Sequence, residues 1–383
     1  MVITSSMAAL VLIFCYKCCE TIYKTKTVQR SINLTPRERV RQAIKRAKPD
    51  RVPKDIGLTP AVIETMKCKT GIETPEEFFN TESRNLHIAP MKELPDFSEY
   101  LKKMPPGTKI VSDYGIAHLP GEFYHFARSI FPMADFTDVQ QVKEYPWPDY
   151  QSDYRYVHLA DEAKKLAEQG YWIIGWAGHI FETAWQLTGY EKFMEYLFTK
   201  PDFVAEILDR ITANNIIQAR WMAKAGADML SIGDDVAMQD RMMMSPATWR
   251  EWFKPRHAAV IKAAKEIKPD IEVWYHSDGN VEPIIEDLIE IGLTVLNPVQ
   301  PECMDVYYIK RKYGDRLAFW GTIGTQTVMP FGTPNDVKQK VKEMIELFAP
   351  GLIIAPTHVI EPDVPWENLV AFKEAIEEYG RLH

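Results

Sequence analysis

His276 and Asp278 are two metal-binding types of side chain that stand one residue apart in the sequence YHSDGN. At the end of a strand both side chains project to the same side, so both can reach one ion. His358 and Cys303 are the further candidate ligands, and imidazole, carboxylate and thiolate donors together suit zinc better than magnesium. The alternative is that His276 only forms hydrogen bonds, while Asp278 caps a helix that begins near Asn280.

Acidic side chains supply candidates for acid–base chemistry. Asp234 and Asp235 are adjacent carboxylates, and such a pair can hold one member with a raised pKa. Because neighbouring residues on a strand point to opposite faces, only one should enter the site, and the other should cap a helix or form a salt bridge. We take Asp234, Glu182 and Asp113 as the predicted catalytic residues.

Four further residues are predicted to contact a substrate, because each lies at or after the end of an apolar run. They are Trp176, His179, Asn297 and Gln300. For His179 a core or capping role fits the sequence equally well. A tryptophan in a strand more often fills a protein interior, but one near the end of a strand can contact a flat substrate.

The elements that must position these residues are eight short apolar runs, each of which ends in a polar or glycine-containing loop. Helical patterns separate most of the runs, and the pattern predicts a TIM-type (β/α)8 barrel with its chemistry on the loops that follow the strands. The predicted strands are Val52–Gly57, Lys109–Ser112, Tyr171–Trp176, Met229–Ile232, Glu272–Tyr275, Thr294–Asn297, Leu317–Gly321 and Leu352–Ala355. The predicted helices include Lys192–Lys224, Thr248–Ile267, Val281–Ile291 and Pro334–Phe348.

The barrel is expected to begin at Leu34, directly before a capping box formed by Thr35 and Glu38. Its regularity fails between Asp113 and Gly170, a stretch rich in Pro, Tyr and Asp. We interpret this stretch as a long insertion after the second strand that caps the barrel or lines its mouth. A separate small domain is the alternative.

The composition and charge of the chain indicate a globular protein and argue against some classes of function. The 383 residues are 46% hydrophobic and 26% charged, as in a globular protein with a large core, and the formal net charge is −8. Lys and Arg are scattered rather than gathered in a stripe, which argues against nucleic-acid binding. Five cysteines give no disulfide framework and favour a reducing cytoplasm.

Residues 1–33 are treated as an N-terminal extension, and residues 34–383 as the barrel. Met7–Tyr16 is an apolar run of ten residues, whereas a membrane span needs about 20. An upstream extension or a misplaced start codon is the expectation, a weak membrane anchor or leader is the alternative, and stable membrane insertion is not expected.

From Leu34 onward the chain resembles the uroporphyrinogen decarboxylase superfamily, and the resemblance implies the barrel fold. The motifs that carry it, in order, are TPRERVRQAI with PDRVP, AGADMLSIGDD with SPATWREWFKP, HSDGNVEPIIEDLIEIG, YGDRLAFWGTIG and LIIAPTHVIEPDVPWENLVAFKEAIEEYG. True decarboxylases of this family carry an arginine-rich M-R-Q-A-G-R stretch after the first strand, where this chain reads DIGLTPAVIE. Because bidentate recognition of carboxylates depends on guanidinium groups, this departure argues against a substrate with many carboxylates.

The chain therefore resembles the methyltransferase-like branch more closely, whose zinc-dependent members move methyl groups between a corrinoid protein and a thiol. The metal motif of that branch is His-x-Cys with a later Cys. His276 matches the histidine, Asp278 stands in place of the first cysteine, and His358 lies about where the last would fall. These replacements leave open whether the site holds zinc, another divalent metal or none.

The leading hypothesis is a metal-dependent methyltransferase or demethylase that acts on a small molecule with a corrinoid protein. The alternative is a decarboxylase for a carboxylated pyrrole or aromatic substrate, with Asp113 and His358 polarising it. A non-catalytic binding protein is a third interpretation, and a homodimer is left open.

Overall fold

The computed structural model describes residues 33–102, 104–121 and 127–382. Contacts divide the chain into two units, Met1–Asn33 and Leu34–His383, and the second carries the elements described below. The interpretations of Met7–Tyr16, and the three cysteines near it, lie outside the described residues. In the part of the chain that is described, no helix is long and apolar enough to cross a membrane.

A curled parallel sheet forms the centre of the second unit. Strands lie at β1 (Ser83–Leu86), β2 (Lys109–Ile110), β3 (Ala117–Leu119), β4 (Arg128–Ile130), β5 (Trp172–His179), β6 (Met229–Gly233), β7 (Glu272–His276), β8 (Val295–Asn297), β9 (Ala318–Ile323) and β10 (Leu352–Pro356). Seven of these, in the order β1-β5-β6-β7-β8-β9-β10, form the sheet, and every neighbouring pair is parallel. Polar loops at the carboxyl ends of these strands therefore meet on one side.

Helices connect the strands of the sheet. They are α1 (Pro36–Ile44), α2 (Pro60–Thr70), α3 (Pro75–Phe79), α4 (Val139–Glu144), α5 (Leu159–Glu168), α6 (Phe181–Thr188), α7 (Tyr190–Thr199), α8 (Pro201–Ala225), α9 (Pro246–Trp252), α10 (Lys254–Lys265), α11 (Ile285–Glu290), α12 (Val306–Tyr313), α13 (Val328–Phe331), α14 (Pro334–Phe348) and α15 (Trp366–Tyr379). The local sequence explains where two of these helices begin. The predicted capping box of Thr35 and Glu38 begins α1, and Pro201 occupies the first position of α8.

The predicted strand at Val52–Gly57 lies against β10. Lys54 forms a parallel bridge with Ile354, and Leu58 forms one with Ile360. The backbone N–H of Lys54 donates to the carboxylate of Glu82, which directly precedes β1. This segment therefore lies beside one edge strand of the sheet and is hydrogen-bonded to a residue next to the other.

Two apolar clusters occupy the two faces of the curled sheet. The inner one takes alternate residues of the strands, including Trp172, Ile174, Met229 and Trp320, and packs against residues of α1. The outer one joins the other faces of the strands to the surrounding helices. Burial on both faces explains why strands β5 to β10 are mostly apolar in sequence.

The prediction of a sheet strand at Lys109–Ser112 is wrong. Lys109–Ile110 pairs antiparallel with β3 in a separate sheet of three strands, and the position next to β5 belongs to Ser83–Leu86. That strand reads SRNL, with Asn85 exposed, so it lacks the apolar run that identifies the others. The small sheet and α4 lie between β1 and β5 in the chain. Reading this stretch as an insertion stays a prediction.

Candidate metal centre and active site

Four residues stand level with one another where neighbouring strands end. His179 of β5 is paired in register with Gly233 of β6, Gly233 with His276 of β7, and His276 with Asn297 of β8. Neighbouring strands lie about 4.8 Å apart, so the backbones of the two histidines are separated by roughly two strand spacings. The glycine between them has no side chain to fill this gap.

The orientation of His276 is set by Asn297. The side-chain amide of Asn297 donates to the carbonyl of Trp320 at 2.7 Å, so its oxygen accepts from Nδ1 of His276 at 2.6 Å. In the neutral ring the proton then resides on Nδ1, and Nε2 carries the unshared pair. Burial lowers the pKa of His276, but the charges of Asp235 and Asp278 outweigh this and raise it.

Asp278 is a half-buried carboxylate with one buried oxygen. Its Oδ1 is buried and forms no hydrogen bond among the described residues, and it lies 4.0 Å from Nε2 of His276. Its Oδ2 lies 3.9 Å from Nε2 of His358. Burial, reinforced by the Asp235 and Glu182 carboxylates and opposed by His276, raises the pKa of Asp278 to about 7.

Asp235, His276 and Asp278 together form a group that can hold a metal ion. One ligand atom from each lies within 4.8 Å of the others. Asp235 accepts from the backbone N–H of Asp278 at 2.8 Å and lies 3.7 Å from Nε2 of His276. The structure thus brings together two predicted ligands and adds Asp235, while His358 reaches the group through Asp278.

Cys303 and Gln300 lie beside this group with other partners. The Cys303 thiol donates to Oε1 of Gln239 at 2.9 Å, and burial with the nearby Glu302 and Asp278 charges raises its pKa to about 11. Gln300 is 3% exposed and accepts from the backbone N–H of Gly279 at 2.5 Å. Gln300 therefore supports the loop that follows His276, and the prediction that Cys303 is a ligand stays untested.

His179 and Glu182 form an ion pair beside the metal-capable group. Nδ1 of His179 contacts Oε2 of Glu182, which also accepts from the backbone N–H of Asp235 at 3.3 Å. Burial alone would lower the pKa of His179, but the adjacent Glu182 carboxylate and the charges of Asp234 and Asp235 raise it to about 9. At neutral pH this imidazole is protonated, and the pair offers a proton and an acceptor for it.

Asp234 occupies a different position from the one expected of a catalytic acid. Its side chain is 0% exposed; Oδ1 accepts from the backbone N–H groups of Ile180 and Glu182, and Oδ2 contacts His257 at 3.0 Å. Both oxygens of the Asp234 carboxylate therefore have partners, and those of Oδ1 lie at the start of α6. The structure thus places Asp234 where it holds the backbone at the start of α6, whereas Asp235 belongs to the metal-capable group; the predicted catalytic role of Asp234 stays a prediction.

A cavity of about 490 Å³ adjoins His179 and includes two more predicted residues, Trp176 and Asp113. The Trp176 ring is 38% exposed and packs edge-on against His179, with centroids 4.7 Å apart. Asp113 accepts from Arg155 at 2.6 Å, and this guanidinium is itself 1% exposed.

A second cavity of about 500 Å³ is lined by Asp278 itself. Gln300, His358 and the 81% exposed Phe331 line it. Asn297 lines neither cavity and is 7% exposed, so its position is that of a support for His276 rather than of a predicted substrate contact.

Comparisons with known proteins agree with this architecture. A structure described as a methyltransferase from Methanosarcina mazei covers 90% of this chain and 99% of its own, with a TM-score of 0.63 at 22% identity, which shows the fold. A methylcobamide:CoM methyltransferase, MtaA, from Methanosarcina barkeri is 29% identical over 54% of this chain and 58% of its own length. The chain thus spans a little over half the length of this relative.

Relatives of lower sequence identity are named as decarboxylases. A uroporphyrinogen decarboxylase from Pseudoalteromonas atlantica is 23% identical over 70% of this chain and 74% of its own. The sequence model of uroporphyrinogen decarboxylase (URO-D) matches residues 121–379, well over half of the chain. The chain belongs to the uroporphyrinogen decarboxylase family.

Proposed function

We propose that this protein is a metal-dependent methyltransferase that moves a methyl group between a corrinoid protein and a small molecule bound beside His179. The observation that carries the proposal is the buried Oδ1 of Asp278, which has no hydrogen-bond partner among the described residues and lies 4.0 Å from Nε2 of His276. The methyltransferase relatives support the corrinoid, because methylcobamide stands in the name of one of them.

The donor set fits a divalent metal. A buried carboxylate oxygen without a partner is costly, and a cation removes that cost. His276, Asp278 and Asp235 would hold the ion, with His358 close enough to Asp278 to join after a small movement. Two imidazoles and carboxylates suit zinc and several other first-row metals. Bound there, the metal supplies Lewis acidity that lowers the pKa of a coordinated thiol or hydroxyl.

The remaining residues position the reactants and manage protons. His179 holds a proton that it can give to the substrate atom that loses the methyl group, and Glu182 keeps the ring oriented. Asp234 fixes both by holding the backbone at Ile180 and Glu182. In the opposite direction of transfer the same pair takes a proton from the acceptor.

The barrel is part of the proposal. We infer that the segment Lys54–Leu58, bridged to β10 and hydrogen-bonded to Glu82 beside β1, is the eighth strand that closes the curled sheet. Closure would gather the carboxyl ends of all strands around one mouth, where active sites of such barrels are found.

A methyl-transfer assay tests the proposal. The full chain, loaded with Zn²⁺, is incubated with methylcobalamin and a panel of small thiols and phenols, and loss of the methyl–cobalt absorbance is followed. We expect demethylation that requires metal and falls at least about 100-fold in His276→Ala, since removal of a ligand abolishes the site. His158→Ala, a change at an exposed histidine outside the cluster, should keep full activity. Zinc-independent demethylation, or an unchanged rate in His276→Ala, would overturn the proposal.

The decarboxylase alternative has less support. It paired Asp113 with His358, but these residues line two different cavities, and Asp113 is engaged by Arg155. Nothing in the described residues brings the two side chains to one substrate.

A further inference from the structure

The cavity beside His179 has no charged group left for a substrate. Among the described residues that line it, Arg155 is the one arginine and no lysine occurs. All three guanidinium nitrogens of Arg155 are used: Nε donates to the carbonyl of Ala89, Nη1 to that of Asp149, and Nη2 to Asp113. An anionic substrate would thus meet the Asp113 carboxylate without a compensating cation.

A cationic substrate fits no better. Asp113 is the one carboxylate among the described lining residues, and its charge is matched by the buried guanidinium 2.6 Å away. The imidazole of His179 in the same wall is paired with Glu182. Both signs of charge are balanced inside the wall, so the space suits an uncharged molecule.

The rest of the wall is suited to a flat ring. The half-exposed Trp176 lines the cavity together with Tyr114 and Tyr150, and the two tyrosine rings stack with centroids 5.9 Å apart. Leu86 and Met222 complete apolar stretches of the lining. Aromatic walls of this kind bind planar rings by stacked and edge-on contacts.

Gln218 of α8 supplies a polar group to the wall. It is 5% exposed, its side-chain amide forms no hydrogen bond with a described residue, and neither amide atom is among the buried polar atoms that lack a partner, so the amide is open to the cavity. The amide is therefore available for a hydrogen bond with a molecule in the cavity. It can donate to or accept from an oxygen substituent on a ring.

We propose that this cavity binds an uncharged aromatic molecule carrying hydroxyl or methoxyl oxygen, stacked on Trp176 and hydrogen-bonded to Gln218. The inference rests on the proposed methyl transfer and names the class of small molecule that would take part in it. His179, which lines the cavity and is level with His276, would then stand beside the ring oxygen.

Calorimetric titration of the full chain tests this without a corrinoid. The probe is 2-methoxyphenol, compared with 2-methoxybenzoate, which has the same ring with a negative charge, and with 2-methoxycyclohexanol, which lacks the aromatic ring. We expect 2-methoxyphenol to bind at least about tenfold more tightly than either. Tighter binding of the benzoate, or no binding of the phenol, would overturn the inference.

Two variants locate the binding. Trp176→Leu and Gln218→Leu should each lower the affinity for 2-methoxyphenol by about tenfold, which is the size expected for one lost aromatic or hydrogen-bonding contact. Phe198→Leu, at a ring 73% exposed on the surface, should bind as the wild type does. Unchanged affinity in both cavity variants would contradict the site. Because metal and methylcobalamin are not needed here, binding can persist even if methyl transfer fails, and the two failures are told apart.

Discussion

The ring of His276 is fixed from two directions at the end of β7. Asn297 accepts from Nδ1, and the indole of Trp274 stacks on the imidazole with centroids 5.7 Å apart and planes 15° from parallel. Nε2 is thereby aimed at Asp235 and Asp278. Side chains that orient a metal ligand typically contribute about 10–100-fold to metal affinity.

Asn297→Ala should therefore weaken divalent-metal binding by about 10–100-fold without removing any ligand. The measurement is a competitive titration with a fluorescent zinc chelator. Asn368→Ala is the matched control, since Asn368 is equally buried but holds the carbonyls of Met329 and Gly332. Equal zinc affinities for wild type and Asn297→Ala would refute the role assigned to Asn297.

Asp234→Ala should destabilise the fold by about 3–5 kcal/mol, because it leaves His257 and two backbone N–H groups unpaired in the interior. Asp235→Ala should cost less than half as much, since its side chain is 34% exposed. Urea unfolding of both variants without metal makes the comparison. A larger loss for Asp235→Ala would reverse the assignment of the two carboxylates.

The two aspartates also mark a limit of sequence reasoning at this scale. The sequence predicts that only one of two adjacent strand-end carboxylates enters the site, but the choice depends on where β6 ends and on His257 from α10. His257 lies 23 residues away from Asp234, and no local pattern joins them. The contact of Asn297 with His276 could not be predicted for the same reason, because its two partners, His276 and Trp320, come from the separate strands β7 and β9.

At the scale of elements, strands buried on both faces were predictable and the polar one was not. The last six predicted strands are confirmed within a few residues, because each is a continuous apolar run. β1 was missed because its four residues, SRNL, include only one apolar side chain, Leu86. The predicted helix Pro334–Phe348 is confirmed with its bounds, whereas Lys192–Lys224 is divided at Lys200, between the end of α7 and the start of α8.

The cap of α1 gives a test at this scale. The Thr35 hydroxyl accepts from the backbone N–H of Glu38, and α1 packs its apolar face on the inner cluster of the sheet. Thr35→Ala should lower the free energy of unfolding by about 1 kcal/mol. Thr65→Ala, whose exposed hydroxyl lies within α2, should change it by a few tenths at most. Chemical denaturation measures both, and equal effects would mean that the cap does not stabilise α1.

For the molecule as a whole, the half-buried Asp55 carboxyl contributes to the pH dependence of stability. Burial, opposed by hydrogen bonds from Ile56 and Ser83, raises the pKa of Asp55 to about 6. A raised acid pKa means that the folded state holds the proton more tightly than the unfolded state. The favourable contribution of Asp55 to the free energy of unfolding is fully present below the pKa of the unfolded state, about 4. It is lost as the pH rises through the folded-state pKa of about 6.

Asp55→Asn, which mimics the protonated form, should therefore stabilise the protein at pH 8 and have little effect at pH 4.5. Denaturation midpoints at the two pH values test this. Asp270→Asn serves as the control, because Asp270 is 84% exposed. A gain in stability of Asp55→Asn that is the same at both pH values would contradict the raised pKa.

The central claim is that Asp235, His276 and Asp278 hold a functional metal ion, and metal content tests it most directly. Protein purified without chelators or a histidine tag is measured by plasma mass spectrometry, together with His276→Ala and Asp278→Asn, whose folds are checked by circular dichroism. We expect about one divalent metal, most favourably zinc, per wild-type chain and its loss from both folded variants. A wild-type protein that holds no metal even after reconstitution, or variants that retain it, would contradict the account.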